Sequence, residues 1–234
     1  MLRLLAGASL LPFLGCSSDA AGGGQCARIP EETAGPYPGD GSNGPNALAL
    51  SGIVRSDIRS SIAGATGIAT GVPLTLTLTL VNVGASCAPL AGAAVYVWHC
   101  DPLGRYSLYS SGVTGENWLR GVQQSDAAGR VTFVTLFPGC YPGRWPHIHV
   151  EVYATAAAAT SSGSKLVTTQ IALPQASCAE VYGSNGYDGS AANLSGVSLA
   201  TDSVFSDGVT YELASVTGSV AAGYALTLTI GVSS

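Results

Sequence analysis

Residues 72–83 read VPLTLTLTLVNV, and this stretch decides the fold class. After Pro73, leucine alternates with threonine. A period of two places every leucine on one face and every threonine on the other, as in a strand with one buried side. A helix would scatter the same leucines around its circumference. Pro73 stands where the strand begins, a position that tolerates a missing N–H.

The same reading extends along the chain. Residues 91–99 form a second strand, with Val95 and Val97 on one face and Tyr96 and Trp98 on the other. Residues 130–137 (RVTFVTLF), 147–153 (HIHVEVY), 165–173, 210–216 and 224–232 read as further strands, and 50–55 as a short apolar segment. Glycine and proline punctuate many of the junctions. Residues 154–164, ATAAAATSSGS, are of low complexity and predict a flexible loop. Only residues 174–182 are long enough for a helical turn. Many short strands with tight turns predict an all-β sandwich or barrel with very little helix.

The 234 residues suit one domain, and 47% apolar content makes it globular. Charged residues make up 10%, Lys165 is the sole lysine, and the net charge is −5 with no basic cluster. That balance argues against nucleic acid or an anionic membrane surface as partner.

Residues 1–16, MLRLLAGASLLPFLGC, carry one early positive charge, a short apolar run and small residues leading to Cys16. This outline is a secretory signal, too short to span a bilayer. Its ending resembles a bacterial lipoprotein signal, which implies a lipid anchor at Cys16. An ordinary signal peptide and a misassigned start codon stay open. The expected organisation is a signal over 1–16, a flexible tether over 17–25 and a folded domain over 26–234. The expected location is outside the cytoplasm of a bacterium, anchored to the outer membrane, periplasmic or extracellular. Export implies disulfides. The cysteines are Cys16, Cys26, Cys87, Cys100, Cys140 and Cys178. None forms a CxxC pair, their connectivity is open, and bridges plus one buried thiol are expected.

Reactive side chains gather in three stretches: residues 98–106 (WHCDPLGRY), 137–144 (FPGCYPGR) and 145–149 (WPHIH). His147 and His149, at i and i+2 of a strand, point to one face with Ile148 packing behind. Two imidazoles there suit iron, copper, zinc or nickel. Glu151 is the one acidic residue of that face that would complete a two-histidine, one-carboxylate set. Tyr106 and Tyr141 sit at turns, where they can reach inward. A phenol ionises near pH 10, so it binds metal at neutral pH only beside a strongly charged cation. Two phenolates match iron(III) better than a divalent ion. His99 follows Trp98 on the strand and points to the opposite face. Asp101, Glu116 and Asp126 are expected to cap turns.

Taken together, GRY at 104–106, PGCY at 138–141, Arg144 and HIH at 147–149 resemble the intradiol ring-cleavage dioxygenases. The likeness also covers PEETAGPY at 30–37, RSDI at 55–58, LRGVQ at 119–123, Thr169-Gln170 and AGY at 222–224. WHC at 98–100 and RGVQ are closest to exported members of that family. The resemblance implies a β-sandwich fold and Fe(III) as cofactor. It makes Tyr106, Tyr141, His147 and His149 the iron ligands, with Tyr141 leaving when substrate binds. Arg144 becomes the residue that stabilises charge on the substrate, Gln170 a supporting glutamine, Trp98 a pocket wall and Tyr37 a residue near the entrance. It implies O2 and a small aromatic diol as substrates and a cis,cis-muconic-type diacid as product. Gly143 stands where some relatives place an aromatic, which implies a wider pocket. The long helical dimerisation segment of catechol 1,2-type enzymes is absent, and assembly as a homo-oligomer stays open. The sequence also leaves room for three rivals: an exported, non-catalytic binding module, a copper or zinc protein using His99, and a relative that acts on hydroxyquinol or lignin-derived diols.

Overall fold

A computed structural model describes residues 26–161 and 163–233. The expected signal, the tether and Cys16 lie outside the described residues. The described residues hold nine strands: β1 (Pro73–Asn82), β2 (Ala88–Pro89), β3 (Ala94–Trp98), β4 (Arg120–Gln124), β5 (Arg130–Leu136), β6 (His147–Tyr153), β7 (Lys165–Ala172), β8 (Ser215–Ser219) and β9 (Gly223–Val232). Three short helices join them: α1 (Ala156–Thr160), α2 (Gln175–Tyr182) and α3 (Ser190–Ser195).

The strands form two sheets. In one, β1 pairs with β2 and β5 antiparallel and with β9 parallel, and β8 closes the edge beside β9. The other is antiparallel in the order β4-β3-β6-β7. The sheets face each other across one core. Leu74, Leu76, Leu78 and Leu80 of β1 meet Val95 and Val97 of β3 and Ile148, Val150 and Val152 of β6 there. Period-two alternation thus fills the sandwich as read, and the fold is the all-β one expected.

β6 is buried along its whole length. Its even-numbered residues enter the sandwich core. His147, His149, Glu151 and Tyr153 face outward, where the segment before β1 covers them. Ala47, Leu48 and Ile53 of that segment pack with Tyr96, Trp98, Tyr106 and Tyr153 into a second cluster. This cover turns the outer face of a sheet into the floor of a site.

Several expectations need correction. The strand expected over 210–216 begins at Ser215, because the chain from Thr210 to Leu213 turns and Glu212 and Ala214 hydrogen-bond to Ala172 instead. The polar β4 has no apolar period to reveal it. Residues 154–164 hold α1, since a run of alanines capped by the Thr155 hydroxyl on Ala158 N favours helix. Cys26 and Cys87 form a disulfide, while Cys100, Cys140 and Cys178 are three buried thiols rather than one. Asp101, Glu116 and Asp126 accept backbone N–H bonds in loops, as expected.

Candidate metal centre

Strand register builds the site's floor. Trp98 on β3 lies opposite His149 on β6, and His149 lies opposite Gln170 on β7. Cross-strand neighbours share a face, so an indole, an imidazole and an amide stand in one row. The Trp98 ring lies parallel to that of His149, with centroids 4.7 Å apart and planes 5° from parallel. This contact fixes the His149 ring from one side.

Two turns bring in the phenols. After β3, both oxygens of Asp101 gather the backbone N–H of Leu103 and Arg105 and the Arg105 guanidinium, and the turn delivers Tyr106. Gly104 within it has φ +77°, and an added Cβ there would stand 2.9 Å from that of Tyr141, so only glycine lets the two turns meet. α3 holds the second turn: Ser190 Oγ accepts from Cys140 N, and Asn193 Nδ2 donates to Cys140 O. Tyr141 follows directly.

The four groups converge on one point. His147 Nε2 lies 3.1 Å from His149 Nε2, 3.3 Å from the Tyr106 hydroxyl and 3.2 Å from the Tyr141 hydroxyl. His147 Nδ1 stands 2.5 Å from Trp145 O. A carbonyl only accepts, so that nitrogen carries the proton and Nε2 bears the lone pair. One lone pair cannot serve three neighbours. His149 Nδ1 is buried without a hydrogen-bond partner among the described residues. Burial first, and the Arg144 charge second, push His147 down to about 3, and burial holds His149 well below its usual range. Burial also raises Tyr141 to about 12 and Tyr106 well above 10. Among the described residues no cluster of three His, Cys, Asp or Glu fits a metal. The set here is two imidazoles and two phenols. Donors held about 2.0–2.1 Å from one ion at open angles lie just over 3 Å apart, so the observed spacing fits a bound metal ion.

Other expected residues fall as follows. Arg144 donates from Nη2 to Gln170 Oε1 at 2.7 Å and from Nε to Asp202 Oδ2 at 2.9 Å. Gln170 Nε2 in turn donates to Thr33 O, so Gln170 ties the arginine to the covering segment. That segment crosses the site at Gly35, whose φ is +67° and whose added Cβ would press on His149 at 3.3 Å. Tyr37 then packs its ring 4.8 Å from that of Tyr106. His99 turns away: its ring nitrogens bond Thr135 Oγ1 and Cys100 O. Glu151 is also elsewhere, paired with Lys165 at 2.6 Å and accepting from the Tyr153 hydroxyl. A histidine triad with His99 and a facial triad with Glu151 are therefore both excluded by position.

Sequence reasoning missed Asp202, Phe205 and the role of Arg120. Arg120 is 1% exposed and donates to Tyr37 O, Pro38 O, Ser107 O, Ser107 Oγ and the Tyr96 hydroxyl, clamping the cover onto the sheet. An arginine inside a strand otherwise poor in apolar residues was the available signal.

The fold and site define an all-β sandwich that holds two tyrosines and two histidines around one point, with an arginine beside them. The model of the dioxygenase family matches residues 57–177, just over half of the chain. The solved intradiol ring-cleavage dioxygenase from Tetranychus urticae is 25% identical, with a TM-score of 0.67 over 89% of this chain and 95% of that one. This chain belongs to the intradiol ring-cleavage dioxygenase family. The fold alone is shared with two others. The dioxygenase domain of a carbohydrate-binding fusion from Streptomyces sp. SirexAA-E is 23% identical, with a TM-score of 0.55 over 88% of this chain and 99% of that one. Hydroxyquinol 1,2-dioxygenase from Pseudomonas putida DLL-E4 is 16% identical, with a TM-score of 0.55 over 88% of this chain and 67% of that one. No curated protein matches by sequence.

Proposed function

We propose that the protein binds iron(III) through Tyr106, Tyr141, His147 and His149 and opens a catechol-type ring with O2 to a cis,cis-muconic-type diacid. The observation that carries this reading is the lone pair of His147 Nε2, faced at 3.1–3.3 Å by three further donor atoms. Two phenolates would offset two of three positive charges, which favours a trivalent ion. Bound there, iron supplies Lewis acidity and a template for both diol oxygens.

The chain's own residues supply the rest. Neutral imidazoles at His147 and His149 stay put, one tied to Trp145 O and the other stacked on Trp98. Tyr106 is 1% exposed and closes the buried side. Tyr141 is half-buried at the mouth, and its oxygen is the one free to turn aside and take a diol proton as general base. Arg144, partly exposed beside it, would stabilise negative charge spreading over the substrate. An added Cβ at Gly143 meets nothing within 4 Å, which supports room for a substituted diol.

The test is the visible spectrum of the iron-loaded protein in air, before and after a catechol. A wine-red tyrosinate–iron(III) band that shifts on addition is expected. Protein that stays colourless after iron is supplied would overturn the reading. We also propose export with a lipid at Cys16, a reading supported by the Cys26–Cys87 bridge, since such bonds persist in oxidising compartments. Mass spectrometry of the native amino terminus tests it, and an unprocessed Met1 would sink it.

A further inference from the structure

We infer that Asp202 is the positioning residue of the site, one carboxylate that sets both the Arg144 guanidinium and the Trp145 peptide on which His147 leans. Asp202 lies 58 residues beyond Arg144 and is wholly buried. Its Oδ2 accepts from Arg144 Nε at 2.9 Å and from Trp145 N at 2.6 Å. Its Oδ1 accepts from Val204 N at 2.8 Å and Phe205 N at 3.1 Å, with a longer approach from Arg144 Nη2 at 3.4 Å. A carboxylate loaded from both sides in this way cannot rotate without losing several charge-assisted bonds. Burial alone would raise its pKa, but the bonds from Arg144, Trp145 and Val204 outweigh burial and hold it below the usual range.

The consequences reach the metal centre by two routes. Asp202 takes the Nε edge of Arg144 and Gln170 takes Nη2, so Nη1 is the nitrogen left without a partner among the described residues. The guanidinium therefore has one orientation. The second route is shorter. Trp145 donates its N–H to Asp202 and accepts His147 Nδ1–H on its carbonyl, so the carboxylate pins the residue that selects the His147 tautomer. The turn that Asp202 caps also packs the Phe205 ring edge-on against His147, with centroids 6.5 Å apart. Site geometry held to a fraction of an ångström needs such support.

This inference builds on the reading proposed above, yet its first test needs neither iron nor turnover. In metal-free protein, the Arg144 Nε–H should give a resolved, slowly exchanging nitrogen–proton NMR signal, lost or fast-exchanging in Asp202→Asn. A wild-type Arg144 Nε–H that exchanges freely, or one still protected in Asp202→Asn, would overturn the inference even if the iron reading stands. The second test is a double-mutant cycle on kcat and KM. Asp202→Asn should lower kcat about tenfold or more while KM changes little, and should cost clearly less in an Arg144→Ala background, where only the Trp145 route remains. Full additivity of the two substitutions would overturn the coupling. If Asp202→Asn fails to fold, the wild-type exchange measurement still decides.

Discussion

At the scale of single residues, the arrangement asks which atoms hold a metal and which hold the fold. The Tyr106 hydroxyl is buried beside His147 and contributes nothing to the sandwich core. Tyr106→Phe should therefore leave the thermal midpoint of metal-free protein near its wild-type value while iron per chain, measured by elemental analysis, falls several-fold. Equal iron content in the variant would remove Tyr106 from the ligand set. Glu212 carries a different cost. It is fully buried, no cation pairs with it among the described residues, and Glu32 and Asp207 add like charge, with only the Thr169 hydroxyl opposing them. Burial first, then those charges, raise its pKa from 4.5 to about 8. A raised folded-state pKa means the folded chain holds the proton more tightly than the unfolded one. Stability is thus complete below about pH 4.5 and drains away as pH climbs towards 8. Glu212→Gln does not titrate, so its melting temperature should match wild type near pH 5 and exceed it at pH 8.5. Parallel pH profiles for the two proteins would contradict the buried, protonated carboxyl.

At the scale of elements, β6 serves both sides of its sheet at once. Ile148 and Val150 pack in the sandwich while His147 and His149 face the site. Removing the Ile148 side chain leaves a cavity that costs about 2–5 kcal/mol. Ile148→Ala should show this as a lower denaturant midpoint, and it should also weaken iron retention because the ligand strand loses its backing. Stability lost with iron affinity intact would show that β7 and Trp98 hold the histidines without help from the core. This double duty was legible in the sequence, because HIHVEVY carries its own period. β4 was not. RGVQQ offers one apolar residue, and its Arg120, on the same face as Trp98, reads as a surface charge until the carbonyls of Tyr37 and Pro38 arrive to meet it. The strand expected over 210–216 failed for a related reason: Glu212 and Ala214 trade their hydrogen bonds to Ala172, a partner some forty positions earlier.

At the scale of the whole molecule, the segment before β1 is the roof of the site. It holds through the Cys26–Cys87 bridge, Arg120, Gln170 and the ion pair of Lys165 with Asp40. The bridge closes a loop of 61 residues, worth about 4 kcal/mol in the chain-entropy picture. Cys26→Ser should lower stability by about 2–4 kcal/mol in a denaturant titration and leave iron content unchanged, since Cys87 lies in the turn before β2, at the edge of the sheet that carries no ligand. Loss of iron along with stability would mean that the bridge also shapes the site.

The sequence by itself determined what repeats at short range. Alternation marked β1, β3, β5, β6, β7 and β9 and the face each of their side chains takes, and it put His147 and His149 side by side. The motif around them supplied the two tyrosines and Arg144. Tertiary structure decided everything that depends on remote chain meeting remote chain: the cover over β6, the pairing of Cys26 with Cys87, the exclusion of Glu151, and the arrival of Asp202 beneath Arg144. A period of two is a local property of the backbone and is written in neighbouring residues. Which carboxylate meets which guanidinium is set by packing across the whole sandwich, and no stretch of sequence around Asp202 carries that information.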